Sequence, residues 1–220
     1  MTKPIPPLRP TLLAVSLALA LGACDGSAAP GDPTENTFTI RVGDVPAQTR
    51  RHAYFGEYVS EATGHPTFAI LLGTDPIASA LSLDAPAVGF VRDGADPALG
   101  AHALLGVNPA GEPPADAFVG FYFDPAEYVR GENPPRSGFY FTGGGTVRLD
   151  EIAADRVRGT FAMDAVEYAE EVPGRSSPTS VGVTVTGEFH AVRSEAFGGQ
   201  GALLGRRPSW LDWLPLAGGR

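Results

Sequence analysis

Apolar and polar residues alternate in short runs along most of the chain, and turns rich in Gly, Pro and Asp separate these runs. The clearest pair is residues 145–150 and 157–163, which flank the turn at 153–155. A period of two predicts β-strands, and two such runs around a short polar turn predict a hairpin. Beyond the amino-terminal segment, no long stretch shows a convincing helical period. The chain is therefore expected to be all-β, an antiparallel β-sandwich or barrel, and we favour the sandwich.

Several weaker runs predict which residues share a face and where further strands lie. The odd-numbered apolar residues of 99–107 are expected to share one face, as are those of 181–191. Residues 118–123 are apolar at both parities, which predicts a central strand buried on both faces. Residues 170–179 are expected to form a loop. Further strands are predicted at 38–42, 68–72, 81–83, 88–90 and 139–141.

The amino-terminal segment has the three-part layout of a secretory signal. Lys3 and Arg9 precede an apolar stretch at residues 11–24, and small, acidic and Pro residues follow at 25–35. The stretch ends in the run Leu21-Gly22-Ala23-Cys24. The segment therefore predicts export from the cytoplasm.

The run Leu21-Gly22-Ala23-Cys24 resembles the lipobox of bacterial lipoproteins. The resemblance implies that a signal peptidase cuts before Cys24, whose sulfur already carries a diacylglyceryl group. Two acyl chains anchor a protein stably, whereas one gives only marginal attachment. The implied partner is therefore the lipid bilayer, contacted through acylated Cys24. The other interpretation is an ordinary cleaved signal with a chance cysteine at its end.

The apolar run within residues 11–24 is about eleven residues long, whereas a helix needs about 20 residues to cross a bilayer. We therefore expect a chain that is anchored in the cell envelope without spanning a membrane, on the periplasmic side or at the cell surface. Asp25 resembles an inner-membrane retention mark of enterobacterial lipoproteins. Because that sorting rule differs between lineages, the choice of membrane stays open.

The expected organisation has four parts. Residues 1–23 form the signal peptide, 24–35 the lipidated cysteine and a flexible tether, 36–193 the β-domain, and 194–220 a Gly-rich linker with a tail. The tail contains Trp210, Leu211, Trp213 and Leu214. Exposed aromatic residues mark interaction sites, so the tail is expected either to contact a membrane or partner, or to dock on its own domain over an edge strand.

A second resemblance lies within the β-domain. Residues 144–150, 156–161 and 183–189 read Gly-Gly-Thr-Val-Arg-Leu-Asp, Arg-Val-Arg-Gly-Thr-Phe and Val-Thr-Val-Thr-Gly-Glu-Phe. They are similar to the carboxy-terminal hairpins of small β-rich bacterial lipoproteins of unknown function. The resemblance implies the fold and carries no activity.

Charge and cysteine usage exclude some functions. The formal charge is −9, and removal of Lys3 and Arg9 with the signal gives −11. An anionic surface repels phosphate backbones, so nucleic-acid binding is not expected. Cys24 is the only cysteine, which excludes an internal disulfide and a Cys-x-x-Cys metal site.

Two pairs of residues are candidate metal sites. Glu188 and His190 lie two apart on a predicted strand and share a face, but a metal needs three or more converging ligands. Asp93 and Asp96 lie in a predicted turn that lacks the Asp-x-Asp-x-Asp-Gly calcium pattern. Both pairs are expected to be structural, with no metal and no cofactor.

Carboxylates and histidines are the candidate catalytic residues. Asp164, Glu167, Glu170 and Glu171 form an acidic patch, and paired carboxylates across a cleft hydrolyse glycosides. A solvated loop is the favoured interpretation. The remaining histidines have no partner at a recognisable spacing and are His52, His65 and His102. No catalytic residue is therefore predicted.

These observations favour a cell-envelope lipoprotein with a non-enzymatic structural or binding role. One alternative is an envelope hydrolase that uses loop carboxylates. Another is an accessory subunit that docks to an envelope protein through its Trp-containing tail.

Overall fold

The computed structural model describes residues 35–59, 64–73, 86–94, 96–106, 116–127, 138–172, 175–194 and 197. The chain divides into two compact units, Met1–Gly31 and Asp32–Arg220, and every described residue belongs to the second. The predictions for residues 21–24, 81–83 and 210–214 lie outside this part. Within it, no helix has the length and apolar composition needed to cross a bilayer.

Strands account for most of the described chain. They are β1 (Thr37–Val42), β2 (Gln48–Arg51), β3 (Ala53–Val59), β4 (Pro66–Leu72), β5 (Ala87–Asp93), β6 (Gly100–Leu105), β7 (Phe118–Phe123), β8 (Phe139–Ile152), β9 (Arg156–Val172) and β10 (Arg175–Arg193). A short 3-10 helix, Pro125–Glu127, follows β7. The all-β class predicted from the alternation is confirmed.

The strands form one sheet that closes on itself. The path β3-β4-β5-β7-β8-β9-β10 returns to β3, because β10 pairs with β9 along one edge and with β1 and then β3 along the other. Strand β6 inserts between parts of β7 and β8, and β2 extends the sheet beyond β1. The pairs are antiparallel except β3–β10 and β6–β7. This is one sheet of ten strands, so the finer expectation of a two-sheet sandwich is not confirmed.

The interior of the closed sheet holds an inner cluster of apolar side chains. Each strand of the closed path contributes alternate residues. In β8 the parity changes between Tyr140 and Val147, because the pairing with β9 shifts register between Thr142 and Gly144. The largest members include Phe38, Phe55, Phe90, Phe118 and Phe161. Phe90 and Phe161 pack with ring centroids 5.1 Å apart. Burying one such side chain contributes roughly 1.5–3 kcal/mol, so this cluster dominates the folding free energy.

Two glycines of the β9–β10 hairpin leave the space that two Phe rings occupy. The register places Gly159 opposite Phe189 and Gly187 opposite Phe161. A Cβ atom on Gly159 would lie 2.8 Å from the Phe189 ring, and one on Gly187 would lie 2.7 Å from the Phe161 ring. Each ring therefore covers the backbone of the glycine across from it. This reciprocal packing explains why a glycine and a phenylalanine stand two positions apart in both the Gly-Thr-Phe and the Gly-Glu-Phe sequences.

The predicted hairpin at 145–163 is confirmed, and the amide of Ala153 donates to the carbonyl of Arg156 at 2.8 Å in its turn. The expected loop at 170–179 is wrong. Strand β9 continues to Val172 and β10 begins at Arg175, so the hairpin β9–β10 extends through most of that range. Backbone pairing between the two long strands outweighs the polar composition.

In β6 the odd-numbered residues Ala101, Ala103 and Leu105 share a face as expected, and it is the outer face of the sheet. In β6 the inward residues are His102 and Leu104, whereas Leu99 before the strand is 63 % exposed. The odd positions of the strand are mostly alanines, which gain little from burial. In β7 the expectation of burial on both faces is confirmed, because Phe118 points inward and Phe121 outward.

For residues 181–191 the expected shared face is confirmed in part. Val185, Phe189 and Ala191 are buried on the inner face. Val181 is 40 % exposed, because the pairing with β9 shifts register between Pro178 and Gly182. Strands β2 and β3 were not predicted from the sequence.

Replacing Gly187 tests the reciprocal packing. Gly187→Ala inserts a methyl group against the Phe161 ring and the Thr39 carbonyl, and overpacking of this kind costs about 1–3 kcal/mol of unfolding free energy. Gly182→Ala in the same strand is the control, because its Cβ would approach nothing closer than 3.5 Å. Urea unfolding measures both. Equal stability of the two variants would contradict the packing.

Candidate functional site

A second group of buried apolar side chains lies on the outer side of the sheet, pointing away from the interior of the closed sheet. We call it the outer cluster, and its members are Ala69, Leu71, Ala87, Val91, Phe121, Phe123 and Phe141. They lie on β4, β5, β7 and the start of β8, and their exposed fractions are only 1–6 %. An outward apolar face of this kind is unusual unless a partner or another segment covers it.

The local sequence explains why these strands are apolar on both sides. Strand β4 ends in Phe-Ala-Ile-Leu-Leu, and β7 reads Phe-Val-Gly-Phe-Tyr-Phe. Alternation is absent from both, so each strand buries one set of side chains in the inner cluster and the other set in the outer cluster. The sequence carried this signal most clearly at residues 118–123.

The chain leaves the sheet beside this cluster. After β10 the amide of Ser194 donates to the carbonyl of Phe55 at 2.9 Å, and the amide of Phe197 donates to Ser194 at 3.2 Å. The Phe197 side chain then packs against the outer cluster. A Cβ atom on Gly56 would lie 2.7 Å from the Phe197 ring, so the glycine leaves the space that the ring occupies.

The remaining outer face, on β1, β2, β8, β9 and β10, is polar. Arg148 pairs with Asp150 at 2.6 Å, and Arg156 pairs with Glu151 at 2.6 Å. The hydrogen bond and the charge of Glu151 raise the pKa of the Arg156 guanidinium. Exposed pairs contribute at most about 1 kcal/mol each, so this face is a solvated surface. The closed sheet thus has one apolar and one polar outer half.

The two candidate metal pairs do not meet other ligands in the described chain. Glu188 and His190 share the outer face of β10, with Glu188 exposed and His190 half-buried. Asp93 ends β5, and the amide of Gly94 donates to the carbonyl of Pro66 at 2.8 Å. No group of three or more His, Cys, Asp or Glu residues that could hold a metal occurs among the described residues.

Two residues of the acidic patch, Asp164 and Glu167, lie on opposite faces of strand β9. Glu167 lies on the inner face of β9, is 3 % exposed and pairs across the strands with Tyr140. Asp164 lies on the opposite, solvent-exposed face and accepts a hydrogen bond from Thr184 at 3.1 Å. The expected solvated loop is therefore wrong for Glu167. Of Glu170 and Glu171, the structure describes only the backbone.

His102, which has no recognisable partner in the sequence, is one of the buried polar residues of the described chain. It is 3 % exposed, and its Nδ1 and Nε2 atoms lie 3.0 Å and 2.8 Å from the carbonyl oxygens of Asp116 and Ala98. Its ring also meets the Phe118 ring edge-on. A neutral imidazole donates from one nitrogen, whereas an imidazolium donates to both carbonyls. His102 thus connects β6 to the two segments that flank it, and this role is structural.

The other two histidines also have structural positions. His52 joins β2 to β3 with a φ of 74°, and its carbonyl accepts the amide of Gly73 at 2.7 Å. The carbonyl of His65 accepts the Thr67 hydroxyl at 3.3 Å. The described histidines therefore do not come together into one site.

Comparison with known proteins adds no assignment, because no family model, no curated protein and no solved structure matches the chain.

Removal of the His102 ring tests its structural role. His102→Phe keeps an aromatic side chain but removes the ring N–H that donates to at least one of the carbonyls of Ala98 and Asp116, which costs about 1–3 kcal/mol of unfolding free energy. Ala103→Ser, on the exposed face of the same strand, is the control and is expected to change stability by less than about 0.5 kcal/mol. Unchanged unfolding of His102→Phe would refute the role.

Alkaline unfolding tests the apolar surroundings of Tyr168, which packs edge-on against Phe141. Burial raises the pKa of Tyr168 above its ordinary value of 10.0. The unfolded chain therefore loses this proton first, so the contribution to stability is full below about pH 10 and is lost as the pH rises through the raised pKa. Between about pH 8 and pH 11 the parent chain should lose more unfolding free energy than Tyr168→Phe. Equal losses would contradict this.

Proposed function

We propose that this chain is a cell-envelope lipoprotein whose closed β-domain is a non-enzymatic structural or binding module, anchored to a bacterial membrane by acyl chains on Cys24. The run Leu21-Gly22-Ala23-Cys24 after an apolar stretch is the observation that carries the proposal. Cleavage before Cys24 would leave this residue at the amino terminus of the mature chain, as a lipid anchor requires.

The start of the domain is compatible with a tether. Asn36 is attached to the sheet, because its carbonyl accepts the amide of His52 at 3.1 Å and its side-chain oxygen accepts the amide of Ala53 at 2.7 Å. Residues 25–35 lie between Cys24 and this attachment. Eleven extended residues reach at most about 36–40 Å, enough to hold a domain clear of a lipid surface.

Charge also supports a role beside a membrane. A net charge of −11 without the signal keeps the domain from adhering to anionic headgroups. The polar outer half contains ion pairs such as Arg148 with Asp150 and offers a hydrated surface.

The positions of the carboxylates favour a binding or structural role over hydrolysis. A glycosidase needs two carboxylates about 5–10 Å apart across one cleft. Asp164 and Glu167 lie on opposite faces of β9, so they do not face a common substrate.

Metabolic labelling tests the proposal. Expressed in a bacterium with labelled palmitate, the full chain is expected to incorporate the label, and globomycin is expected to cause its unprocessed precursor to accumulate. Cys24→Ala is expected to lose both effects. Asp25→Asn is the matched control and should keep the label, because the residue is next to the cysteine and carries no acyl group. A mature chain that begins elsewhere, or label retained in Cys24→Ala, would overturn the proposal.

A further inference from the structure

His102 is a buried titratable side chain whose two ring nitrogens both face backbone carbonyls. Its Nδ1 atom lies 3.0 Å from the carbonyl oxygen of Asp116, and its Nε2 atom lies 2.8 Å from that of Ala98. Both distances are those of a hydrogen bond. A carbonyl oxygen has no proton to donate, so each bond requires a proton on the ring nitrogen.

A neutral imidazole satisfies only one of these two contacts. It carries a single N–H, so its other nitrogen presents a lone pair to a carbonyl oxygen at 2.8 or 3.0 Å. Two facing lone pairs repel each other. An imidazolium donates from both nitrogens, and hydrogen bonds from a charged donor are roughly twice as strong as neutral ones. The observed geometry is therefore that of the charged ring.

The groups that face His102 from the adjoining elements act in opposite directions. The Asp116 carboxylate lies 3.9 Å from Nδ1 and favours a proton on the ring, although it is itself 67 % exposed. The Arg92 guanidinium of β5 lies 5.9 Å from the centre of the Phe118 ring, which His102 meets edge-on, and it opposes that proton. Burial opposes it as well. From β8 the facing residue is the apolar Val147.

The other charged side chains near β6 are exposed. Arg148 and Asp150 of β8 pair with each other on the outer face of the sheet. Asp93 at the end of β5 and Asp96 before β6 are also open to solvent. Water and salt screen such charges, so the two carbonyls and Asp116 are the main groups that favour the imidazolium.

The two hydrogen bonds join segments that lie far apart in the sequence. Ala98 lies just before β6, and Asp116 lies just before β7. The register of β6 with β7 covers two residues, and its register with β8 covers four. Loss of one ring proton therefore removes a contact from a strand with short backbone pairing on both sides.

We propose that His102 is a proton-dependent clip. As an imidazolium it holds the carbonyls of Ala98 and Asp116 on either side of one ring, and as a neutral imidazole it releases one of them. The release loosens β6, while the long pairings of β8, β9 and β10 persist. Histidine ordinarily changes charge between about pH 5 and pH 8, so the clip operates in that range. The clip does not involve Cys24, so it fails or holds independently of the proposed function.

The direction of the pH effect follows from the two acceptors. The folded chain fixes both carbonyls at the ring, whereas the unfolded chain fixes neither, so folding favours the charged form. The stabilisation is then full below about pH 6.5, the ordinary value for histidine. It is lost as the pH rises through the value at which the folded ring releases its proton.

Nuclear magnetic resonance of the imidazole nitrogens measures the charge directly. A nitrogen-15-labelled chain of residues 24–220 is titrated with acid and base, and His102→Phe assigns the signals by their loss. We expect both nitrogens of His102 to be protonated at about pH 6, and one to lose its proton at a higher pH than the histidines of the urea-unfolded chain do. A His102 midpoint equal to or below that of the unfolded chain would overturn the proposal.

Urea unfolding measures the consequence for stability. Between about pH 5.5 and pH 8 the parent chain is expected to lose more unfolding free energy than His102→Phe, because only the parent has a proton to lose at this site. His190→Gln is the matched control, because it removes a half-buried histidine from the outer face of β10 and should keep the pH dependence of the parent. Equal losses in the parent and His102→Phe would refute the clip. If His102→Phe does not fold, the titration of the parent decides.

Amide hydrogen exchange locates the release. After correction for the intrinsic effect of pH, the amides of β6 should exchange several-fold faster at about pH 8 than at about pH 6, whereas those of the β9–β10 hairpin should change little. Equal acceleration in both regions, or none in β6, would contradict a local release.

Discussion

The backbone pairing of β10 along both of its edges is the interaction on which the rest of the structure depends. One edge pairs with β9, and the other pairs with β1 and then with β3. This arrangement closes the sheet and gives it an inside and an outside. It also leaves few free edges in the described part. The terminal strand there is β2, which is short and carries Arg50 and Arg51, and charged short edges resist further strand pairing.

Closure has a steric consequence for the hairpin that completes the sheet. The inner faces of β9 and β10 hold two Phe rings, Phe161 and Phe189, and each lies opposite a glycine of the other strand. A side chain at Gly187 or Gly159 would meet the ring across from it, so each ring lies over a bare backbone. The pattern that resembles small β-rich lipoproteins therefore has a packing explanation, independent of any activity.

Closure of the sheet also separates the buried polar groups from the polar groups at the surface. Inside, polar groups such as His102 and Thr142 form hydrogen bonds with nearby backbone and thereby stabilise the sheet. Outside, the polar half is hydrated and the apolar half is covered. The apolar half is thus buried beneath neighbouring side chains, among them Phe197, and the polar half is exposed to solvent.

The sequence by itself determined the strand class, the hairpin at 145–163 and the burial of β7 on both faces, because these depend on neighbouring residues and on a period of two. The resemblance of Leu21-Gly22-Ala23-Cys24 to a lipobox, on which the proposed function rests, is likewise a linear pattern that needs no fold. Only the tertiary structure decided which face of β6 is buried, that residues 175–179 continue a strand, and that Glu167 points inward. The buried face of β6 depends on its pairing with β8, where His102 lies opposite Val147, and Glu167 points inward opposite Tyr140. Local composition does not encode which distant strand will supply the partner, and the partner decides which side of each strand is buried.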